Sequence, residues 1–157
     1  MQIQLVCIGT LKEKWLREAF AEYEKRLSRY CKFTVTELNE ARLPESPSEA
    51  EIAAALQAEA KAVLQACRGK IITLCIEGEQ LSSEDFSHML DRAAVSGNSI
   101  LSFVIGSSFG LHEDVKKAAS MRFSMSKMTF THQLARVLLA EQLYRAYQIS
   151  TGGKYHK

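Results

Sequence analysis

Two apolar patterns alternate along the chain. Strand-length runs at 71–76 and Ile100–Ile105 are apolar throughout except for Thr73 and Ser102. Such runs suit parallel strands buried on both faces. Gln2–Ile8 reads as a first strand, and 33–38 as a weaker one in which Phe33 and Val35 alternate with Thr34 and Thr36. Between the strands, apolar residues recur at three and four positions, the helical period. Trp15, Leu16, Ala19, Phe20, Tyr23 and Leu27 mark a helix over 12–30. Ser48, with Glu51 three residues on, is a capping box that opens an alanine-rich helix over Glu49–Ala66. Ser82 or Ser83 caps the next helix, and Gly97 stands where a helix commonly ends. A short helix at 113–119, a short strand at 122–125 and a long helix over His132–Ser150 complete the series. Both prolines lie in 39–48, which reads as a loop, and 77–79 reads as a turn.

The order βαβαβαβαβα predicts an α/β fold, a mostly parallel sheet with helices on both faces. At 157 residues one domain, 1–157, is expected. Ligands of such sheets sit outside the carboxyl ends of the strands. Here those ends are 74–78, 106–110 and 126–131.

Composition changes this picture little. Twenty basic residues against eighteen acidic ones leave a net charge of +2, too small for a dense non-specific nucleic-acid groove. No apolar run reaches membrane-spanning length, and the first residues lack the basic start and length of a signal peptide, so a cytoplasmic protein is expected. The cysteines Cys7, Cys31, Cys67 and Cys75 have no C-x-x-C spacing, so reduced thiols and no metal are expected. Cys7 and Cys75 read as core residues.

Candidate chemistry gathers late in the chain. The segment Gly106-x-x-x-Gly110 is neither a P-loop nor a dinucleotide fingerprint, and it suits a tight turn or a close backbone approach to a ligand. The last helix is apolar nearly all round. A symmetric dimer interface would cover that excess, as would burial within its own subunit. Glu141 and Arg145 stand four apart, either as a surface pair or within reach of a ligand. The segment Tyr155-His156-Lys157 reads as a frayed end or as equipment to stack a base, handle a proton and hold a phosphate.

These segments resemble a known family over the whole chain. The match begins at Gln4-Leu5-Val6-Cys7-Ile8-Gly9-Thr10 and continues through Phe20-Ala21-Glu22-Tyr23-Glu24-Lys25-Arg26. It is densest in Val104-Ile105-Gly106, in the stretch from Ser124 to Gln133, in Glu141-Gln142-Leu143-Tyr144-Arg145-Ala146 and in Tyr155-His156-Lys157. The chain resembles the SPOUT-superfamily ribosomal RNA large subunit methyltransferase H family. The resemblance implies a C-terminal trefoil knot, which general rules on chain threading would not suggest. It implies a homodimer that binds S-adenosylmethionine, without a metal, and methylates N3 of a pseudouridine in large-subunit rRNA of the assembled ribosome. Leu74, Gly106, Met125, Ser126, Lys127, Met128, Thr129 and Phe130 would hold the cofactor. His156 and Tyr155 would act on the target nucleotide, with Arg136, Arg145, Lys154 and Lys157 as candidates for its phosphates.

Two departures from the family pattern stand out. Ser107 replaces a second glycine, and its Cβ would crowd the cofactor if its φ were positive. Thr131 replaces a proline before the last helix. Two rivals remain at this point: a non-catalytic ribosome-binding factor, and a flavodoxin-like nucleotide-binding protein with the same alternation of elements.

Overall fold

A computed structural model describes residues 1–157. Five strands form one sheet: β1 (Gln2–Ile8), β2 (Lys32–Leu38), β3 (Lys70–Gln80), β4 (Ile100–Ile105) and β5 (Met121–Ser124). They lie in the order β2-β1-β4-β3-β5, and every neighbouring pair is parallel. A flavodoxin-like sheet has the order 2-1-3-4-5. Here β3 and β4 have exchanged places, so that rival fails on topology.

Five helices cover the sheet: α1 (Lys14–Leu27), α2 (Glu49–Ala66), α3 (Ser83–Val95), α4 (Glu113–Ala118) and α5 (His132–Ser150). α5 packs between α1 and α3, and α2 meets α4. Period-two alternation divides the strand residues between two cores. Ile3, Leu5 and Cys7 of β1, with Leu101, Phe103 and Ile105 of β4, enter the larger core with Phe20, Phe86 and Leu143. Val6, Ile8 and Val104 face the smaller one, with Ala60, Val63 and Val115. The capping box is present at α2, and Ser82 caps α3.

Three expectations need correction. α1 stops at Leu27, where Ser28 and the following turns take over its hydrogen bonds. β5 ends at Ser124, one residue before the expected end. β3 does not stop at a turn. Phe123 of β5 is the register partner of both Leu74 and Glu79. The segment 75–78 therefore leaves the ladder, and the chain engages the same strand again. Gly78 lies hard against it, since a Cβ there would stand 2.7 Å from backbone atoms of Arg122 and Phe123. Ile76 leaves the ladder with this segment and is exposed.

α5 is covered within the chain, because no residue from His132 through Ile149 is exposed. Leu139, Ala140, Leu143 and Ala146 are inaccessible or nearly so. α1, α3 and the sheet thus cover much of this helix, while Leu134, Leu138, Tyr144, Tyr147 and Ile149 stay only half-buried.

Candidate active site

A cavity of about 800 Å³ opens at the carboxyl ends of β3, β4 and β5. That volume lies within the usual range of small-ligand pockets. Leu74, Gly106, Met125, Ser126, Met128, Thr129 and Phe130 all line it. Of the expected cofactor residues only Lys127 does not, and its side chain points to solvent.

Local hydrogen bonds shape these walls. Ser124 Oγ donates to the Ser126 carbonyl at 3.0 Å, and Ser126 Oγ accepts from the Met128 amide at 3.0 Å. Short polar side chains turn the backbone in this way without secondary structure. Thr131 caps α5 by accepting from the Leu134 amide, a bond that a proline could not make. In the wall formed by the β4 loop, Gly106 faces the Gly110 carbonyl so closely that a Cβ would sit 2.3 Å from its oxygen. Ser107 carries no positive φ, so the suspected strain is absent. Its hydroxyl accepts from the Phe109 amide at 3.4 Å, and it bridges to Gly110.

Several lining residues escaped the sequence reading. Trp15 fits the apolar period of α1, yet it sits in the first helical turn at the cavity rim and is 60% exposed. Met128 at 74% and Ile76 at 51% make the same rim apolar and open. Cys75 is a half-buried wall residue rather than a core one. Its thiol is raised above the usual range, chiefly by burial. Glu77 and Lys116 pair in the wall, which lowers the Glu77 carboxyl. His132 and Gln133 line the cavity from the start of α5. The only available signal for most of these was their place next to a strand end.

Tyr155 and His156 do not line this cavity. They are docked farther along α5, in a cluster around Glu141 and Arg145. On α5 the cavity reaches Ala135, whereas the tail bonds Glu141 and Arg145, about 9–15 Å farther along the helix axis. Tyr155 donates its hydroxyl hydrogen to Glu141 at 3.1 Å and packs edge-on against Tyr144. The Arg145 guanidinium stacks over the Tyr155 ring and bonds Glu141 through Nε and Nη2. Burial first, then bonds to Tyr23 and Glu141, keep the Tyr155 phenol well above its usual range. His156 Nδ1 lies 3.3 Å from Arg145 Nη1, and its Nε2 lies 2.8 Å from Glu84. The Glu141–Arg145 pair is therefore the mount of the tail.

Arg136 differs from the other basic candidates. It is 1% exposed, pairs with Glu37 and donates to the Gly9 carbonyl at 3.0 Å. This guanidinium ties α5 to the ends of β1 and β2 and is withheld from any phosphate. Lys154 and Lys157 are exposed, and Arg145 is partly so. No helix is long and apolar enough to cross a membrane. No group of three or more His, Cys, Asp or Glu side chains is arranged to hold a metal.

Solved structures with the same fold include a probable methylase family protein from Haemophilus influenzae Rd KW20. It has a TM-score of 0.56 and 14% identity, over 99% of this chain and 70% of that one. A tRNA (m1G37) methyltransferase from Aquifex aeolicus has a TM-score of 0.53 and 13% identity, over 92% of this chain and 70% of that one. Curated relatives named ribosomal RNA large subunit methyltransferase H match end to end. The protein from Clostridium botulinum (strain Alaska E43 / Type E3) is 45% identical over 159 residues, and that from Streptococcus equi subsp. zooepidemicus (strain MGCS10565) is 44% identical over 159 residues, each match covering 100% of both chains. The family model described as "Predicted SPOUT methyltransferase" matches residues 1–156. This chain belongs to the SPOUT methyltransferase family.

Proposed function

We propose that this protein is an S-adenosylmethionine-dependent methyltransferase that modifies N3 of a pseudouridine in large-subunit rRNA. It acts as a cytoplasmic homodimer on assembled ribosomes. The observation that carries this reading is the cavity. All but one of the residues expected to hold the cofactor surround a single space at three strand ends. The space suits that group: Gly106 leaves backbone bare where a Cβ would intrude, and Leu74, Met125 and Met128 offer apolar wall. When bound, S-adenosylmethionine supplies a methyl group activated on a sulfonium.

The protein's own contribution is orientation and proton handling. Gly106 and the loop 125–130 bind the cofactor, and the apolar rim at Trp15, Ile76 and Met128 excludes water once covered. A second copy of the chain is the cover we assign to that rim, and the same copy brings its tail to the cavity. This arrangement reconciles a cavity at the start of α5 with a tail docked about 9–15 Å farther along that helix. His156 takes the N3 proton, and Tyr155, kept neutral, packs against the base. Arg145, Lys154 and Lys157 meet phosphates. The modest net charge fits recognition of a large ribosomal surface rather than naked RNA. The return of 79–80 to β5 after 75–78 leaves the ladder supports the knot implied by the family, because the chain beyond β5 must pass that segment to reach its place between α1 and α3.

A non-catalytic ribosome-binding role would leave the cavity unexplained, and the unstrained Ser107 removes its one foothold. The test is incubation with methyl-labelled S-adenosylmethionine and ribosomes that lack the modification, followed by mapping of the label. Label on a large-subunit pseudouridine is the expected result. Ribosome binding without label would overturn the reading.

A further inference from the structure

His156 is held by two neighbours of opposite character. Arg145 Nη1 lies 3.3 Å from Nδ1, and Glu84 Oε1 lies 2.8 Å from Nε2. A guanidinium N–H only donates, so Nδ1 receives that bond through its lone pair. Nε2 then carries the hydrogen and donates it to the Glu84 carboxylate. The contacts thus select one neutral tautomer, with Nδ1 as its basic nitrogen.

We infer that Glu84 is a positioning residue for methyl transfer, fixing the His156 tautomer and ring so that Nδ1 receives the substrate proton. This rests on the proposed function of the tail. Glu84 is in the first turn of α3, after the Ser82 cap, and outside every group of residues considered above for cofactor or substrate. A carboxylate behind an imidazole orients the ring and stabilises its charged form. Its own backbone amide, then His156, lower the Glu84 carboxyl below the usual range, which keeps it ionised.

In the step, the N3–H bond breaks and the proton goes to Nδ1. The pair left on N3 forms the bond to the methyl carbon, while the carbon–sulfur pair goes to sulfur. The imidazolium formed faces Glu84 and later releases its proton to water. Arg145 must give up Nδ1 for this to happen. Its Nη1 contact is the long one, and Nε and Nη2 stay on Glu141, so the guanidinium moves aside without leaving its mount. The charged groups in contact with the imidazole are Glu84 from α3 and Arg145 from α5; Glu141 from α5 lies behind Arg145, and Tyr23 from α1 meets the neighbouring Tyr155.

The test uses the full-length protein with Glu84→Ala, Glu84→Gln and Glu84→Asp. Nitrogen NMR of labelled histidine reads the tautomer directly. Wild type is expected to hold hydrogen on Nε2, and Glu84→Ala to show a mixture. Turnover of Glu84→Ala is expected to fall by roughly a hundredfold, the lower end of what a positioned proton acceptor contributes. Its cofactor affinity stays unchanged, and Glu84→Asp recovers part of the loss. Glu84→Gln keeps an acceptor but no charge, so it holds the tautomer and moves the acidic limb of the pH–rate profile to lower pH. An unchanged tautomer and an unchanged acidic limb in Glu84→Ala would overturn the inference. If wild type itself transfers no methyl group, the proposed function fails, and the NMR result still decides whether Glu84 fixes the ring.

Discussion

Gly106 leaves no room for even one methyl group, because the Gly110 carbonyl stands where its Cβ would be. Overpacking of this kind costs about 1–3 kcal/mol. Placed on the cavity loop, that cost weakens cofactor binding by roughly ten- to a hundredfold in Gly106→Ala. Calorimetric titration with S-adenosylmethionine checks this, and unaltered affinity would show that the loop yields freely. His132 in the same wall makes stability depend on pH. Burial holds it below its ordinary 6.5, with Arg136 and Lys12 adding and Glu40 opposing. The unfolded chain therefore takes up this proton more readily than the folded one. The stabilisation is complete above pH 6.5 and is lost as pH falls through the depressed folded value. Urea midpoints at pH 7.5 and pH 5.5 should separate more for wild type than for His132→Gln. Loop residues such as Ser126 and Met128 were legible because strand ends are where such sheets bind ligands. Trp15 was not, since helical period gives a face but not whether the first turn extends beyond the sheet. Arg136 was misread for a related reason. An arginine facing inward meets partners from distant strands, here Glu37 and Gly9, that no local pattern reveals.

Among the elements, α5 decides the most. Its pattern announced a helix over His132–Ser150, and that span is what forms. What the pattern left open was the identity of its cover. The exchanged order of β3 and β4 and the passage of the chain into the space between α1 and α3 are long-range facts, and they bury the Ala135, Leu139, Leu143 and Ala146 face of α5. Leu143 is fully buried there. Leu143→Ala should destabilise the fold by about 2–5 kcal/mol, the usual range for a buried leucine truncated to alanine. Thr131→Ala, which removes only the cap, should cost about 1 kcal/mol. Chemical denaturation distinguishes the two, and equal effects would contradict the description of α5 as a core helix. β3 failed as a simple strand because its apolar run ends before 79–80 engages β5 again. That pairing depends on a segment more than forty residues later, so no local periodicity could reveal it.

For the whole molecule, the separation of cavity and tail along α5 carries the main consequence. A single chain presents the cavity around the start of α5 and the docked tail around Glu141 and Arg145, and the apolar rim of the cavity remains open. Two copies related by a twofold axis can close both gaps at once, each tail serving the other chain's cavity. Mixing two inactive variants tests this most directly. Gly106→Val loses the cavity but keeps the tail, and His156→Ala loses the tail but keeps the cavity. After dissociation and random reassociation, half of the dimers are mixed, and each has one intact site in two. Methyl transfer to ribosomes should then return to about a quarter of the wild-type rate. A mixture as inactive as its components, with mixed dimers demonstrably present, would contradict a site shared between two chains.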